Sequence, residues 1–414
     1  MIVPSIDLQG GHAVQLIGGE TKAIDAGDPA PIMERFRLAG DVAVIDLDRA
    51  LSIGDNDAVI ERLIAMGNVR VGGGIRSVER ALHWLNKGAA KIILGTAATP
   101  ELLSQLPKDR LIAALDARNG EVVVEGWTKN TGAGVLDRIA ALKEHVGGFL
   151  VTFVEREGRM QGTDLAFAKA IVEAAAPAKV TIAGGVTTLE ELVELDRIGA
   201  DAQVGMALYS GRMDLGDAIA APLVSDRPDG LIPTVVADEQ GVALGLVYSS
   251  HESIRHAVAE RRGIYWSRSR NSLWRKGESS GHVQELLAVT PDCDRDALRF
   301  TVRQHGAGFC HLGCRTCFGE DGGLGSLSRL LLDRRDHAPE GSYTARLFQD
   351  PGLLAAKLRE ECEELVEAKD RDHVIHEAAD VLYFTLARLA REGIGLEEVE
   401  AHLRRRGRRV TRRD

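Results

Sequence analysis

Short apolar runs alternate with amphipathic stretches over the first 220 residues of the chain. Amphipathic segments such as 31–38 and 78–87 follow apolar runs at 2–7, 43–48, 69–73, 91–94, 111–116, 148–153, 179–183 and 202–204. Strands that alternate with helices in this way form a parallel sheet. Eight such units in this length predict an α/β fold, a closed (β/α)8 TIM barrel, with an open doubly wound sheet as the alternative.

An internal repeat favours the barrel. Segment 71–97 resembles segment 182–207, and Asp7 and Asp116 stand 109 residues apart at matching positions of their strands. Strands 1 and 5 of an eight-stranded barrel face each other, so both carboxylates should meet at the C-terminal mouth, where barrel active sites lie. A lone aspartate at a strand end is commonly a helix cap or turn residue. The symmetric pair indicates catalysis instead.

Glycine-rich turns follow four of the predicted strands. Backbone N–H groups in such turns bind phosphate when a helix begins behind them, and a duplicated set predicts a substrate with a phosphate at each end. The alternative is that the glycines only ease tight turns. The candidate residues are Gly73, Gly74, Gly95, Thr96, Gly184, Gly185 and Gly205.

The character of the sequence changes twice after the barrel. A turn-rich segment leads to a β-rich region with aromatic residues, and a glycine-rich segment leads to a helical region. We therefore predict a multi-domain protein in which a small β-rich α+β domain and an all-α domain follow the barrel. The predicted domain boundaries are 1–224, 229–319 and 326–414. The arginine-rich tail, 404–414, is expected to be solvated.

Composition narrows the class of protein. Of 414 residues, 44% are hydrophobic and 27% charged, which is typical of a globular protein. The net charge of −10 argues against nucleic-acid binding. No uncharged apolar run reaches the roughly 18 residues of a membrane helix, and the first residues lack the basic region of a secretory signal. We expect a cytoplasmic protein without a membrane partner.

Two motifs in the middle region have the residues of metal sites. Asp292, Asp294 and Asp296 would lie on one face of an extended strand, with Cys293 on the other. Three carboxylates on one face repel each other unless a cation lies between them, and oxygen ligands suit Mg²⁺.

The cysteines indicate zinc. In a reducing compartment, clustered cysteines indicate metal binding or catalysis before disulfides. Cys293, Cys310 and Cys317 would form a three-thiolate zinc site whose fourth position is open to water. Cys314 could instead complete a closed structural site with four cysteines.

Carboxylates at i, i+3 spacing lie on two consecutive predicted helices. Like charges at this spacing destabilise a helix unless something neutralises them. Adjacent apolar residues favour a Mg²⁺ site over a solvated face. The candidate ligands are Glu360, Glu361, Glu364, Glu377 and Asp380.

Residues 1 to about 222 resemble a known isomerase. The motifs PSIDLQGGHAVQL, VGGGIRS, ALDARNGEVVVEGWTKNTG and AGGV are similar to those of phosphoribosylformimino-aminoimidazole-carboxamide ribotide isomerase of histidine biosynthesis. The resemblance implies an Amadori rearrangement of an aminoaldose to an aminoketose. It implies Asp7 as general base and Asp116 as general acid, with Thr152 in support and Glu157 as a reserve candidate for the acid.

Three departures from that family leave an alternative open. Gln15 and Met206 stand where the family usually has arginine, and Phe153 stands where aspartate is usual. The alternative is a bifunctional hydrolase whose barrel is inactive, is only a scaffold, or has altered specificity, for example towards phosphoribosylanthranilate.

Residues from about 229 to 319 resemble phosphoribosyl-AMP cyclohydrolase, through GLIPTVVAD, YWSRSRNSLWRKGESSGHVQ, DCDRD and CHLGCRTCF. The resemblance implies hydrolytic opening of the adenine ring. It implies Zn²⁺ on the three cysteines named above and Mg²⁺ on the three aspartates. Arg268, Arg270 and Lys276 are candidate phosphate contacts, with a solvated basic strand as the alternative.

Residues from about 326 to 405 resemble phosphoribosyl-ATP pyrophosphatase, through SYTARL, KLREECEEL and EAADVLYFTLARL. The resemblance implies release of pyrophosphate with Mg²⁺ on the acidic helices, and Lys357 is a candidate phosphate contact. A helical domain this small is expected to oligomerise, so we expect a homo-oligomer through the cyclohydrolase and helical domains.

The three resemblances belong to consecutive steps of one pathway. We therefore expect a multifunctional enzyme of L-histidine biosynthesis that acts on phosphoribosyl nucleotides with Zn²⁺ and Mg²⁺. A general nucleotide pyrophosphatase fused to unrelated modules is a second alternative.

Overall fold

The computed structural model describes residues 1–19, 21–124, 129–319 and 321–411. Residues 125–128 of the isomerase-like motif, residue 320 of the second linker and the last three residues of the tail lie outside this part. The chain forms two compact units. The first is Met1–Gly308 with the segment that begins at Arg408, and the second is Phe309–Gly407.

Parallel strands close into a barrel at the start of the first unit. The strands of this part are β1 (Ile2–Gln9), β2 (His12–Ile17), β3 (Thr21–Gly27), β4 (Asp41–Asp46), β5 (Asn68–Gly72), β6 (Lys91–Leu94), β7 (Leu111–Arg118), β8 (Glu121–Val124), β9 (Lys129–Gly134), β10 (Gly148–Phe153), β11 (Lys179–Ala183) and β12 (Ala200–Val204). Within the described residues, eight strands form the barrel in the order β10, β11, β12, β1, β4, β5, β6 and β7, and β7 pairs with β10 to close it. The predicted (β/α)8 architecture is confirmed.

Helices surround the barrel at the positions where the amphipathic pattern predicted them. They are α1 (Pro29–Phe36), α2 (Leu47–Leu51), α3 (Asp57–Met66), α4 (Val78–Lys87), α5 (Pro100–Leu103), α6 (Val135–Leu142), α7 (Leu165–Ala175), α8 (Leu189–Arg197), α9 (Met206–Tyr209) and α10 (Leu215–Ala220). Helix α4 shows why. Ser77 caps its first turn, buried Trp84 and Leu85 face the barrel core, and Gly88 ends it at φ +102°.

Two antiparallel hairpins extend the barrel at equivalent places in its two halves. Strand β1 continues past Asp7 into a pairing with β2, and β7 continues past Asp116 into a pairing with β8. Asp7 is opposite Val14 and Asp116 is opposite Val123. The internal repeat therefore includes the hairpins, and the two carboxylates lie within their strands, before the strand ends.

A four-stranded sheet and one helix complete the first unit. The elements are β13 (Ile232–Ala237), β14 (Ala243–Ser249), α11 (His251–Glu260), β15 (Ile264–Ser267), β16 (Ser272–Arg275), β17 (Gln284–Pro291) and β18 (Leu298–Gln304). The sheet order is β14, β13, β18 and β17, and β15 pairs with β16 in a separate hairpin. This sheet region contacts the barrel. Arg261 Nη2 lies 2.9 Å from Glu34 Oε2, and Gly216 packs so closely on Arg255 that a Cβ would lie 2.6 Å from its Cα.

The second unit is helical. Its helices are α12 (Gly323–His337), α13 (Tyr343–Gln349), α14 (Pro351–Glu367), α15 (Arg371–Arg391) and α16 (Leu396–Gly407). Asp350 and Asp370 cap the acidic helices α14 and α15. Their core consists of Leu331, Leu347, Leu354, Phe384, Leu386, Ala387 and Ala390. Among the described residues, no helix combines the length and the apolar character that a bilayer span requires.

Residues 408–411 belong to the first unit and hydrogen-bond to the barrel. Arg110 Nη1 donates to the carbonyl oxygen of Arg408 at 3.0 Å. The backbone N–H groups of Val410 and Thr411 donate to Asn86 Oδ1 at 3.0 and 3.1 Å. Residues 409–411 are exposed and Arg408 is half-buried, as expected of a solvated tail, although their backbone groups have partners on the barrel.

Candidate active sites

Three carboxylates lie at the mouth of the barrel. Asp7 is on β1 and Asp116 on β7, where Thr152 of β10 is its neighbour across the parallel pairing. Glu157 follows β10, and its carbonyl oxygen accepts a hydrogen bond from the N–H of Gly18 at 3.2 Å. The loop after β10 is thus held against the hairpin that follows β1.

The pKa values of two of these groups are displaced. Loss of solvation raises the pKa of Asp7 to about 7. Burial raises the pKa of Glu157 to about 8, with further contributions from the negative charges of Asp7 and Asp116. The charges of Asp7 and Asp116 therefore act on Glu157. At neutral pH, Glu157 keeps a proton that it can donate, while Asp7 is poised to accept one.

The glycine turns at the mouth require glycine. Gly73 has φ +92° and Gly184 has φ +88°, where other residues are strained. A Cβ at Gly73 would overlap the carbonyl oxygen of Asp46, and one at Gly184 that of Phe153. The two positions are equivalent in the two half-barrels. This close approach explains the repeated glycines without deciding between tight packing and phosphate binding.

The remaining phosphate candidates lie in the turns that follow β5, β6, β11 and β12. Gly95 and Thr96 are exposed in the turn after β6. Gly74 and Gly185 are in the left-handed region beside Gly73 and Gly184. One cavity is lined by Glu157, by Met206 and by the turn residues of the second half-barrel, which are Gly184, Gly185 and Gly205.

Gln15 is buried beneath the last of these turns. Its Nε2 donates to the carbonyl oxygen of Val14 at 2.9 Å, and a Cβ at Gly205 would overlap its Oε1. A neutral side chain therefore packs against this turn.

Asp292, Asp294 and Asp296 come together in a turn. Strand β17 ends at Pro291, and the backbone is closed by Asp292 N–H donating to the carbonyl oxygen of Ala297 at 3.0 Å. One oxygen of each aspartate lies within 4.8 Å of the others. The predicted extended strand is wrong, because the turn and not strand alternation brings the carboxylates together. We call residues 292–296 the aspartate loop.

The aspartate loop concentrates negative charge. A hydrogen bond to Asp292, followed by the charge of Asp294, raises the pKa of Asp296. A divalent cation at this place would satisfy all three carboxylates.

The predicted zinc ligands are distributed along the chain. Cys293 is exposed in the first unit, with its Sγ 3.8 Å from Asp294 Oδ1. Cys310 is buried in the second unit, and its N–H donates to the carbonyl oxygen of Cys314 at 3.0 Å. Cys314 and Cys317 are exposed.

The basic candidates cluster around the hairpin of β15 and β16. The Arg268 guanidinium lies 4.0 Å from the centre of the Tyr248 ring, a cation–π contact. Arg270 Nε donates to Ser267 Oγ at 3.2 Å. Lys276 begins the segment after β16, and its backbone N–H donates to the carbonyl oxygen of Gly263 at 2.9 Å.

A second group of carboxylates lies between α14 and α15. Glu361, Glu377 and Asp380 each place one oxygen within 4.8 Å of the others. Glu361 and Glu377 are only 6% and 5% exposed. Within the described part of the chain, the buried Glu377 Oε2 has no hydrogen-bond partner. A buried carboxylate oxygen without a donor is costly, and a bound cation would satisfy it.

The other two predicted ligands lie around this group. Burial, followed by the charge of Glu377, raises the pKa of Glu364. Glu360 is exposed and pairs instead with Lys357, whose Nζ is 2.9 Å from Glu360 Oε1 and 3.3 Å from Glu361 Oε1.

Two histidines of this site were missed by the sequence analysis. His373 Nε2 lies 3.1 Å from Glu377 Oε1, and His376 Nε2 lies 3.5 Å from Asp380 Oδ2. Both pairs have i, i+4 spacing on α15, so the helical spacing alone could have found them.

Three family models match along the chain. They describe a histidine biosynthesis protein over residues 1–214, phosphoribosyl-AMP cyclohydrolase over 245–319 and phosphoribosyl-ATP pyrophosphohydrolase over 324–407. The chain belongs to the histidine biosynthesis protein family. The three resemblances found in the sequence are confirmed.

Relatives of this chain differ in how much of it they match. A phosphoribosyl-imidazole-4-carboxamide isomerase of Haloarcula marismortui is 37% identical over 53% of this chain and 95% of its own length. The histidine biosynthesis bifunctional protein his7 of Schizosaccharomyces pombe is 50% identical over 49% of this chain and 48% of its own length. A histidine biosynthesis trifunctional protein of Kluyveromyces lactis is 51% identical over 48% of this chain and 25% of its own length. The chain thus spans about half the length of the first fungal relative and a quarter of the second.

Each family match contains one of the candidate sites. The barrel carboxylates and glycine turns lie within the first, the aspartate loop and the cysteines within the second, and the acidic helices within the third. The chain therefore combines regions that match three family models.

Proposed function

We propose that this protein catalyses three consecutive steps of L-histidine biosynthesis. It hydrolyses phosphoribosyl-ATP to phosphoribosyl-AMP and pyrophosphate, opens the adenine ring of phosphoribosyl-AMP, and isomerises the resulting aminoaldose ribotide to the ketose. The observation that carries this proposal is the succession of three family matches along one chain, each containing its own cluster of chemically suited side chains.

The barrel supplies an acid and a base for the isomerisation. Asp7 removes the C2 proton, because its pKa of about 7 allows it to accept a proton near neutral pH. Asp116 or the protonated Glu157 donates to the ring oxygen, and Thr152 lies beside Asp116. The two sets of glycine turns bind the two phosphates of the substrate.

The middle region supplies the ring-opening site. Cys293, Cys310 and Cys317 would hold Zn²⁺, and the aspartate loop would hold Mg²⁺. Thiolates are ligands that zinc prefers, and three of them would leave a coordination position for water. The crowded carboxylates of the loop suit a hard divalent cation. Zinc held by these cysteines would supply an activated water for the hydrolysis. Arg268, Arg270 and Lys276 bind phosphate.

The helical unit supplies the pyrophosphatase site. Glu361, Glu377 and Asp380, with Glu364 beside them, would hold Mg²⁺, and the unpartnered Glu377 Oε2 supports this fit. Magnesium there would neutralise the triphosphate and favour attack by water. Glu360 keeps Lys357 near the site, where the Lys357 ammonium binds phosphate.

We also propose the domain boundaries, the oligomeric state and the location of the protein. The functional domains are 1–224, 229–319 and 326–414. The protein acts in the cytoplasm on small phosphoribosyl nucleotides, without a nucleic-acid partner, and forms a homo-oligomer through its cyclohydrolase and helical domains. Exposed apolar side chains on the acidic helices, such as Val366 and Ile375, support an oligomer.

The experiment assays each step by itself in the full chain. Purified phosphoribosyl-ATP, phosphoribosyl-AMP and the aminoaldose ribotide are supplied separately to wild type and to Asp7→Asn, Cys310→Ser and Glu377→Gln. Each variant should lose one different step and keep the other two. A wild type that leaves the aminoaldose unchanged would instead support the scaffold or altered-specificity barrel.

A further inference from the structure

Helix α8 of the barrel is tied to the aspartate loop by one ion pair. Arg295 Nε donates to Asp196 Oδ2 at 3.1 Å, and Arg295 Nη2 donates to Asp196 Oδ1 at 2.9 Å. The side chains are 22% and 15% exposed. Two parallel hydrogen bonds from a planar guanidinium fix its orientation as well as its distance. The contact joins the barrel and the sheet region inside the first unit.

Arg295 lies between two of the predicted magnesium ligands and has a special backbone. Its φ is +70°, in the left-handed region that residues other than glycine rarely adopt. Its carbonyl oxygen accepts from the N–H of Val224 at 2.9 Å, and its Nη1 donates to the carbonyl oxygen of Asp292 at 3.0 Å. The side chain and the main chain of one residue thus hold the shape of the loop.

We propose that Asp196 is a positioning residue for the aspartate loop: through Arg295 it holds Asp292, Asp294 and Asp296 close enough to bind one divalent cation. The proposal rests on the proposed function of the loop. Three exposed carboxylates repel each other, and without a support the loop would spread. A support that keeps them together before the cation arrives lowers the cost of binding it. A helix of the isomerase barrel therefore contributes to the site of a different reaction.

The test measures cation affinity, which a purely structural contact would not change. Mn²⁺ serves as the probe, and the electron paramagnetic resonance signal of free Mn²⁺ gives the dissociation constant for the full chain. Every protein in the series carries Glu377→Gln, which removes the carboxylate group on the acidic helices as a competing site. Asp196→Asn keeps the size of the side chain and removes its charge.

We expect Asp196→Asn to weaken Mn²⁺ binding about 3- to 10-fold, because loss of a partner behind a metal ligand typically costs at least this much. Asp201→Asn is the matched control. Like Asp196, Asp201 has a carboxylate oxygen 3.0 Å from the Met1 ammonium, but its arginine partner is Arg70, at 3.6 Å. The control should bind Mn²⁺ within about twofold of the parent.

A double-mutant cycle separates positioning from general stability. Arg295→Gly accommodates the left-handed backbone but lacks the guanidinium, so it should weaken Mn²⁺ binding as much as Asp196→Asn. The two changes together should cost no more than either alone. Arg295→Lys keeps the charge without the paired hydrogen bonds, so its Mn²⁺ affinity should lie between those of the Glu377→Gln parent and Arg295→Gly. This variant tests the proposal independently if Asp196→Asn folds poorly.

Two results would overturn the inference, for different reasons. If Asp292→Asn weakens Mn²⁺ binding while Asp196→Asn and Arg295→Lys bind as the parent does, the loop binds a cation without help from the barrel. If Asp292→Asn itself leaves the affinity unchanged, the loop holds no cation, and the proposed magnesium site fails together with this inference.

Discussion

Two carboxyl groups at the barrel mouth lower the stability of the folded protein and are at the same time suited to proton transfer. Asp7 and Glu157 lie where solvation is poor, so their charged forms are disfavoured and the pKa values of both are raised, to about 7 and about 8. The same displacement destabilises the folded protein at higher pH and makes the two groups useful for proton transfer. Stability and activity should therefore respond in opposite directions when either group is replaced.

For Asp7→Asn we expect loss of isomerisation, with both hydrolytic steps near wild type. In the unfolded protein the Asp7 carboxyl ionises near its ordinary pKa, whereas in the folded protein it keeps its proton up to about pH 7. The stability of the wild type therefore falls between about pH 4 and pH 7. The variant avoids this loss and should be more stable by about 4 kcal/mol at pH 8, with no difference near pH 3. Urea unfolding at both pH values measures it, and equal stability at pH 8 contradicts the raised pKa.

The pH dependence of isomerisation should have two limbs. The rate rises as Asp7 ionises near pH 7 and falls as Glu157 loses its proton near pH 8. Glu157→Gln should lower kcat/KM by about 10²- to 10⁴-fold if Glu157 is the acid, and should remove the alkaline limb. If the variant keeps the alkaline limb and a near-normal rate, Asp116 is the acid and Glu157 is dispensable.

At the level of elements, the barrel could be predicted because its signal is local. Apolar runs at strand length, amphipathic helices and the internal repeat all follow from the sequence order. The antiparallel pairs β2–β3 and β8–β9 could not be predicted in this way. Strand β3, for example, is exposed along most of its length and lacks the alternation of a half-buried strand. The aspartate loop shows the same limit. Its residues suggested an extended strand, whereas Arg295 at φ +70° turns the chain there.

The structure brings together some of the predicted site residues in the way that their spacing suggests, and other contacts could not be predicted. The spacing of Glu361, Glu377 and Asp380 on two adjacent helices was sufficient to bring them together. The ion pair of Asp196 with Arg295 could not be found from the sequence, because it joins residues 99 positions apart. Contacts of this kind depend on how elements pack, which no local pattern encodes.

The acidic helices offer a test with a matched control. Glu361→Gln and Glu377→Gln should each abolish pyrophosphate release and unfold no more easily than wild type without Mg²⁺, since they relieve repulsion. Saturating Mg²⁺, at about 100 times its dissociation constant, should stabilise the wild type by about 2.7 kcal/mol and the variants by much less. Glu363→Gln, on the exposed side of the same helix, should behave as wild type. Equal stabilisation of all proteins in thermal melts would indicate a solvated face instead.

The cysteines offer a second test. Cys310→Ser should lose zinc and ring opening together, because one of three ligands is gone. Cys362→Ser, which changes an exposed cysteine of α14, is the control and should keep both. Elemental analysis of the purified proteins measures zinc. Full zinc occupancy in Cys310→Ser would mean that Cys314 replaces the missing ligand, or that the site is structural.

The whole molecule joins three chemistries whose order along the chain is the reverse of their order in the proposed reaction sequence. In that proposed sequence, the helical unit would act first, the sheet region second and the barrel last. The barrel and the sheet region form one compact unit, with Asp196–Arg295 and Glu34–Arg261 as ion pairs between them. This arrangement predicts that the last two steps share structural support, although each has its own catalytic groups.

The most direct measurement supplies phosphoribosyl-ATP alone to the full chain with Zn²⁺ and Mg²⁺ and follows every product by chromatography over time. The proposed function predicts that phosphoribosyl-AMP and the aminoaldose ribotide appear transiently and that the aminoketose accumulates with one pyrophosphate per substrate. In Asp7→Asn, the aminoaldose should accumulate instead. Wild-type protein that stops at the aminoaldose would contradict the claim that this chain catalyses all three steps.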